Sequence, residues 1–195
     1  MNPLTSVKGT IIAGFVLSAI IVFAGGMSGF NALNLEVWFH VLAGVIWIGL
    51  LYYFNFVQVP GVGAALAEKD SGGPGPAAIN KYIAPKALLW FRMSAAVTWL
   101  TGVGALEGLG GAMGAFTFSA GMEVIGLGAW LGTIMLFNVW VLIWPNQQKI
   151  LGMKEATADE IAKAKFVALM ASRTNTLLSI PMLLCMIGFG HGLTF

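Results

Sequence analysis

His40 and His191 are the only histidines in the 195-residue chain, and imidazole is the side chain best suited to ligate haem iron or a transition metal. Glu36 precedes His40 by four residues, so on a helix the two side chains share one face. Gly44 and Trp47 follow on that face, leaving a small residue one turn below the imidazole and an aromatic one two turns below it. One reading is that His40 and His191 hold a b-type haem from two helices, or a metal together with Glu36. The other is that His40 is an interfacial polar anchor and that His191 merely ends a helix in Gly-His-Gly. Glu107 and Glu123 read more simply as wet ends of helices. A second set of polar residues contains Asn55, Gln58, Arg92, Asn138 and the run Arg173-Thr174-Asn175-Thr176. Its three asparagines offer carbonyl oxygens and amide hydrogens from three segments. They either glue helices together or hold a planar polar ligand or a quinone head group. Cys185 is the single cysteine, so there is no disulfide framework, no CxxC pair and no CxxCH haem-attachment motif. No Ser-His-Asp set, phosphate loop or acid–base carboxylate pair is present, which sets hydrolase and ATPase readings aside.

The elements that carry these residues belong in a membrane. Hydrophobic residues make up 58% of the chain and charged residues only 9%, against roughly 25% charged in a soluble domain. The net charge of +2 gives no reason to expect a nucleic-acid partner. A bilayer span needs about 20 apolar residues, and five segments qualify: residues 9–26, 37–57, 87–106, 122–144 and 166–190. The expected fold is an all-α bundle of five transmembrane helices in a single domain, residues 1–195. The connections 58–86 and 145–165 are expected on the cytoplasmic side, the first a loop through Ser71-Gly-Gly-Pro-Gly-Pro76 and the second an amphipathic helix in the interface. All ten lysines and arginines fall at Lys8, in or beside those two connections, or just inside the spans that follow. The positive-inside rule then places the N-terminus in the cytoplasm and the C-terminus outside, in a bacterial inner membrane. On that topology Glu36, His40 and His191 lie near the outer face, and the asparagine set lies toward the cytoplasm. Gly104/Gly108, Gly110/Gly114 and Gly128/Gly132 show the four-residue spacing of close helix contacts. No internal repeat points to an inverted-repeat transporter.

Three stretches resemble the membrane domain of the cytochrome-c-linked urate hydroxylases (the PuuD type). They are His40-Val-Leu-Ala-Gly-Val-Ile-Trp-Ile-Gly-Leu-Leu-Tyr-Tyr-Phe-Asn-Phe-Val-Gln-Val-Pro60, Asn138-Val-Trp-Val-Leu-Ile-Trp-Pro-Asn-Gln-Gln-Lys149 and Ser172-Arg-Thr-Asn-Thr-Leu-Leu-Ser-Ile-Pro-Met182. A shorter pattern, His followed by Trp-x-Gly-x-Leu, is also similar to haem-b-binding membrane proteins of the protoporphyrinogen oxidase and copper-resistance types. The resemblance implies a membrane redox domain that passes electrons to a c-type cytochrome. That family carries its cytochrome c fused at the C-terminus, whereas this sequence reaches Phe195 without a CxxCH, so the expected cytochrome is a separate periplasmic subunit. If the family's purine chemistry is retained, the resemblance places it at Asn55, Gln58, Asn138, Gln147, Arg173 and Asn175. Three functions remain open: a redox subunit of an electron-transfer assembly, a urate-oxidising enzyme, and an accessory subunit packed in a larger respiratory or photosynthetic complex.

Overall fold

A computed structural model describes residues 2–194 and is helical, with no strand among them. The principal helices are α1 (Val7–Phe23), α2 (Ala32–Tyr53), α3 (Val59–Ala67), α4 (Ala84–Leu109), α5 (Ala112–Phe116), α6 (Glu123–Phe137), α7 (Trp144–Ile150) and α8 (Ala158–Gly190). The chain divides into two compact units, Met1–Leu35 and Glu36–Phe195. In the first, Ser6 caps α1 by accepting a hydrogen bond from the Gly9 amide at 3.1 Å, and none of the helix's residues is buried.

Three helical stretches are long and apolar enough to cross a membrane: Ala32–Ala67, Glu123–Ile150 and Ala158–Gly190. They correspond to the expected spans 37–57, 122–144 and 166–190, each extended. α1 has 17 residues, about 26 Å of rise against roughly 30 Å of hydrocarbon. α4 has 26 residues and is long enough, but Lys86, Arg92, Ser94, Thr98 and Thr101 dilute its apolar character. The connection expected as a loop over 58–86 is largely helical, with α3 continuing the second span. The stretch 145–165 is not a separate interfacial helix: α7 prolongs α6 and α8 starts at Ala158, with the break between them.

A π-helical turn joins α2 to α3 (Phe54–Gln58), precedes α4 (Ile79–Ile83) and joins α6 to α7 (Asn138–Ile143). In each case a proline stands two residues beyond the turn, at Pro60, Pro85 and Pro145. Proline lacks an N–H, and its ring collides with the carbonyl four residues back in a regular helix. Widening the turn relieves that collision. The residue before each proline then donates to the carbonyl five back, Val59 to Phe54, Ala84 to Ile79 and Trp144 to Val139.

Large apolar side chains point outward while small polar ones are buried. Val45, Leu100, Leu184 and Ile187 are exposed, whereas Asn175 and Ser179 are 0% exposed. Such an extent of exposed apolar surface suits lipid rather than water. The main core joins Trp47, Leu51 and Phe54 to Phe91, Met135, Val139 and Met182, with the Phe54 and Phe91 rings edge to face at 5.4 Å. A smaller core lies under the α4–α6 connection, where Ala112 and Ala115 of α5 meet Leu106, Ile125 and Ala129.

The start of α8 is held by a reciprocal cap. Glu160 N–H donates to Thr157 Oγ1 at 3.3 Å and Thr157 N–H to Glu160 Oε2 at 2.9 Å. The Thr157 N–H, then the Lys149 ammonium at 3.4 Å, hold the Glu160 carboxyl below its ordinary titration range. A carboxylate depressed in the folded state stabilises above its unfolded pKa, and the contribution is lost as pH falls through the folded value. Amide exchange at Thr157–Ile161 is therefore expected to accelerate as pH is lowered below about 4, with base-catalysed chemistry corrected. In Glu160→Gln, which keeps the cap bond without a titrating group, that acceleration should vanish.

Candidate functional site

His40 is half-buried on α2 and its ring leans on α4. Its Nδ1 lies 2.7 Å from the Thr98 carbonyl oxygen. A carbonyl only accepts, so Nδ1 carries the proton and Nε2 keeps its lone pair. The contact needs Gly102, because a Cβ there would sit 2.8 Å from His40 Cε1 and 2.9 Å from Nδ1. Glu36, one turn away, lies against Gly104 in the same manner, its carboxylate 3.2 Å from where a Cβ would stand. His191 caps α8, and its Nδ1 donates to Ile187 of its own helix at 2.9 Å, again leaving Nε2 as the free nitrogen. Both imidazoles thus have Nδ1 engaged by a backbone carbonyl and Nε2 left over.

The space below His40 is not the open slot that Gly44 and Trp47 lead one to expect. A Cβ at Gly44 would stand 3.7 Å from the Thr98 methyl group, so α4 closes over the glycine, and Trp47 is 2% exposed in the core. Its indole Nε1 has no hydrogen-bond partner. Among the described residues no three His, Cys, Asp or Glu side chains are gathered as a metal site. Glu107 accepts from the Ala112 amide at 3.3 Å and Glu123 opens α6, positions consistent with helix ends.

The asparagine set separates into two groups. Asn138, in the π-turn after α6, donates to Asn175 Oδ1 at 2.8 Å, and Asn175 donates onward to the Met135 carbonyl at 3.0 Å. This buried relay ties α6 to α8. Such bonds contribute about 0.6 kcal/mol on average and up to about 1.7. A double-mutant cycle of Asn138→Ala and Asn175→Ala, read by unfolding in mixed micelles, should give a coupling in that interval and a cost for Asn175→Ala above that of Asn138→Ala, since it strands two groups.

Asn55 and Arg173 belong to the other group. Asn55 donates to the Leu51 carbonyl at 2.9 Å and to Ser172 Oγ at 2.8 Å, while its Oδ1 is buried without a donor. Gln58 Oε1, one turn on, is in the same state. Arg173 is exposed and makes no ion pair among the described residues. Arg92 lies over the Trp144 ring at 3.7 Å. Sequence reasoning missed the roles of the residues that position these groups, namely Thr98, Gly102, Trp144 and Ser172. Backbone acceptors and glycine contacts between distant segments carry no local signature, although the prolines behind the π-turns were visible.

Two of the three stretches that suggested a family, 138–149 and 172–182, fall inside a matched region, and 40–60 falls outside it. No curated protein and no solved structure matches the chain. The segment from α5 to the C-terminus, residues 112–195, is similar to the family described as urate oxidase N-terminal.

Proposed function

We propose that the chain is a membrane-embedded redox subunit in which His40 would hold a b-type haem near the outer face. The observation that carries this reading is the 2.7 Å bond from His40 Nδ1–H to the Thr98 carbonyl, which orients the ring and leaves Nε2 free to bind. His191 is the second candidate ligand. Bound haem would supply one-electron chemistry. The protein's own contribution is to fix the His40 tautomer, hold its ring against Gly102 and exclude water with the apolar faces of α2 and α4. In this reading α1 and α4 are also spans, giving five helices with the N-terminus cytoplasmic and the C-terminus periplasmic in a bacterial inner membrane. Electrons leave to a c-type cytochrome in a larger membrane complex.

The test is a reduced-minus-oxidised visible spectrum of the chain extracted in mild detergent with its native partners. A b-type band that disappears in His40→Ala, with the helical content retained, is the expected result. Absence of any band from this chain with partners attached removes the haem and leaves an accessory packing subunit. The similarity of residues 112–195 to the urate oxidase N-terminal family favours a second reading, participation in urate oxidation. It requires urate-dependent reduction of added cytochrome c by membranes containing the chain, and none by membranes lacking it.

A further inference from the structure

Asn55 and Phe56 of the first π-turn and Arg173, Thr176, Leu177 and Ile180 of α8 wall a recess of about 480 Å³, within the range of small-molecule sites. The lining is amphiphilic. Arg173 and Thr176 mark a polar end, and Phe56, Leu177 and Ile180 form an apolar wall that is 64–66% exposed, on a surface otherwise suited to lipid. Hydrogen-bonding capacity at the polar end is uneven. Asn55 spends both amide hydrogens on Leu51 and Ser172, and its Oδ1 is left over. Asn55 is one of the residues on the recess wall, and that buried oxygen is the acceptor it has left to offer. Thr176 gives its hydroxyl hydrogen to the Ser172 carbonyl at 3.1 Å and offers only lone pairs. Arg173 offers only donors.

A complementary ligand must therefore donate and accept at one polar end, be flat beside Phe56 and be apolar elsewhere. A phosphodiester brings acceptors alone. It would satisfy Arg173 and leave Asn55 and Thr176 unserved, at a site where unserved acceptors are costly. The hydroxyl of a hydroquinone does both, giving its hydrogen to Asn55 Oδ1 or Thr176 Oγ1 and accepting from the Arg173 guanidinium. Its ring lies beside Phe56 and its tail follows Leu177 and Ile180 into lipid. We propose that this recess binds the head group of a lipid-soluble hydroquinone. The site involves neither histidine, so it stands apart from the haem reading.

The test is equilibrium binding of a decyl-substituted benzohydroquinone, kept reduced under argon, to the full chain in lipid nanodiscs, with protein-free nanodiscs subtracted. Saturable binding is expected, weakened at least about tenfold by Arg173→Ala and by Asn55→Leu, as loss of a charge-assisted or buried hydrogen bond implies, and partly restored by Arg173→Lys. His40→Ala should bind normally, so loss of the haem band and loss of hydroquinone binding are separate failures. If Arg173→Ala does not fold, Leu177→Trp, at an exposed position of the rim, blocks the recess instead. Uptake equal to that of protein-free nanodiscs overturns the proposal. So does binding indifferent to Arg173, Asn55 and Leu177, or displacement by phosphatidylglycerol or urate in preference to a second hydroquinone.

Discussion

Replacing Gly126 with alanine should lower the stability of the bundle by about 2–4 kcal/mol, whereas Gly132→Ala, six residues along the same helix, should leave it unchanged or raise it by up to about 1 kcal/mol. Both glycines are buried in α6. A Cβ at Gly126 would collide with the backbone carbonyl of Ala115 and reach 3.2 Å from the Phe118 ring. A backbone carbonyl in a fully buried residue has no rotamer with which to retreat, so α5 as a whole must lift from α6. That motion breaks the bond from Trp130 Nε1 to the Phe116 carbonyl at 3.0 Å. It also separates the Phe116 and Trp130 rings, which are perpendicular at 5.5 Å. A Cβ at Gly132 meets nothing within 4 Å, so the added methyl fills space and reduces the freedom of the unfolded backbone. Unfolding in mixed micelles with both variants measured together checks the pair. Equal effects at the two positions would show that α5 is not seated on α6 as described.

The same pair shows what glycine spacing does and does not reveal. Gly128 and Gly132 have the four-residue spacing of close helix contacts, yet only at Gly128 is another helix close, where an added Cβ would stand 3.1–3.2 Å from Cys185 and Met186 of α8. Gly104 receives the Glu36 carboxylate rather than a helix backbone. Spacing fixes which residues share a face and is silent on what lies opposite. Hydropathy located α2, α6 and α8 well because unbroken apolar runs have one physical cause, but it could not place helix ends. The expected spans ended at 57 and 144, yet the helices run on through Pro60 and Pro145 by widening one turn. Pro181 lies within α8, so proline alone did not announce a π-turn. The run Arg173-Thr174-Asn175-Thr176 read as one polar cluster, but successive residues on a helix point about 100° apart. Asn175 consequently enters the core, Arg173 and Thr176 line the recess, and Thr174 is exposed. Asn55 and Asn138 were recognisable as polar groups in apolar surroundings. Their different partners, Ser172 and Asn175, depend on the helix arrangement.

Gly102→Ala provides the sharpest test of whether His40 is a ligand or an anchor. The new methyl would stand 2.8–2.9 Å from the edge of the imidazole that faces α4, so the ring must swing away and its 2.7 Å bond to the Thr98 carbonyl is lost. Without that bond Nδ1–H is no longer fixed, the two tautomers compete, and Nε2 points elsewhere. Removing such an orienting partner typically weakens a metal site about 10–100-fold, so Gly102→Ala should retain haem poorly on dilution while His40→Ala retains none. Here Gly102 is a positioning residue, and occupancy by visible spectrum together with the midpoint potential of what remains is the readout. Gly104→Ala is the matched comparison. Its methyl meets the Glu36 carboxylate at 3.2–3.3 Å, the far end of a flexible side chain that can turn aside, so the spectrum should be preserved. A purely packing role for His40 predicts a different pattern, because overpacking costs about 1–3 kcal/mol wherever it occurs. Gly102→Ala would then lower the unfolding midpoint and leave any haem band untouched, and the assignment of His40 as the ligand would fall with it.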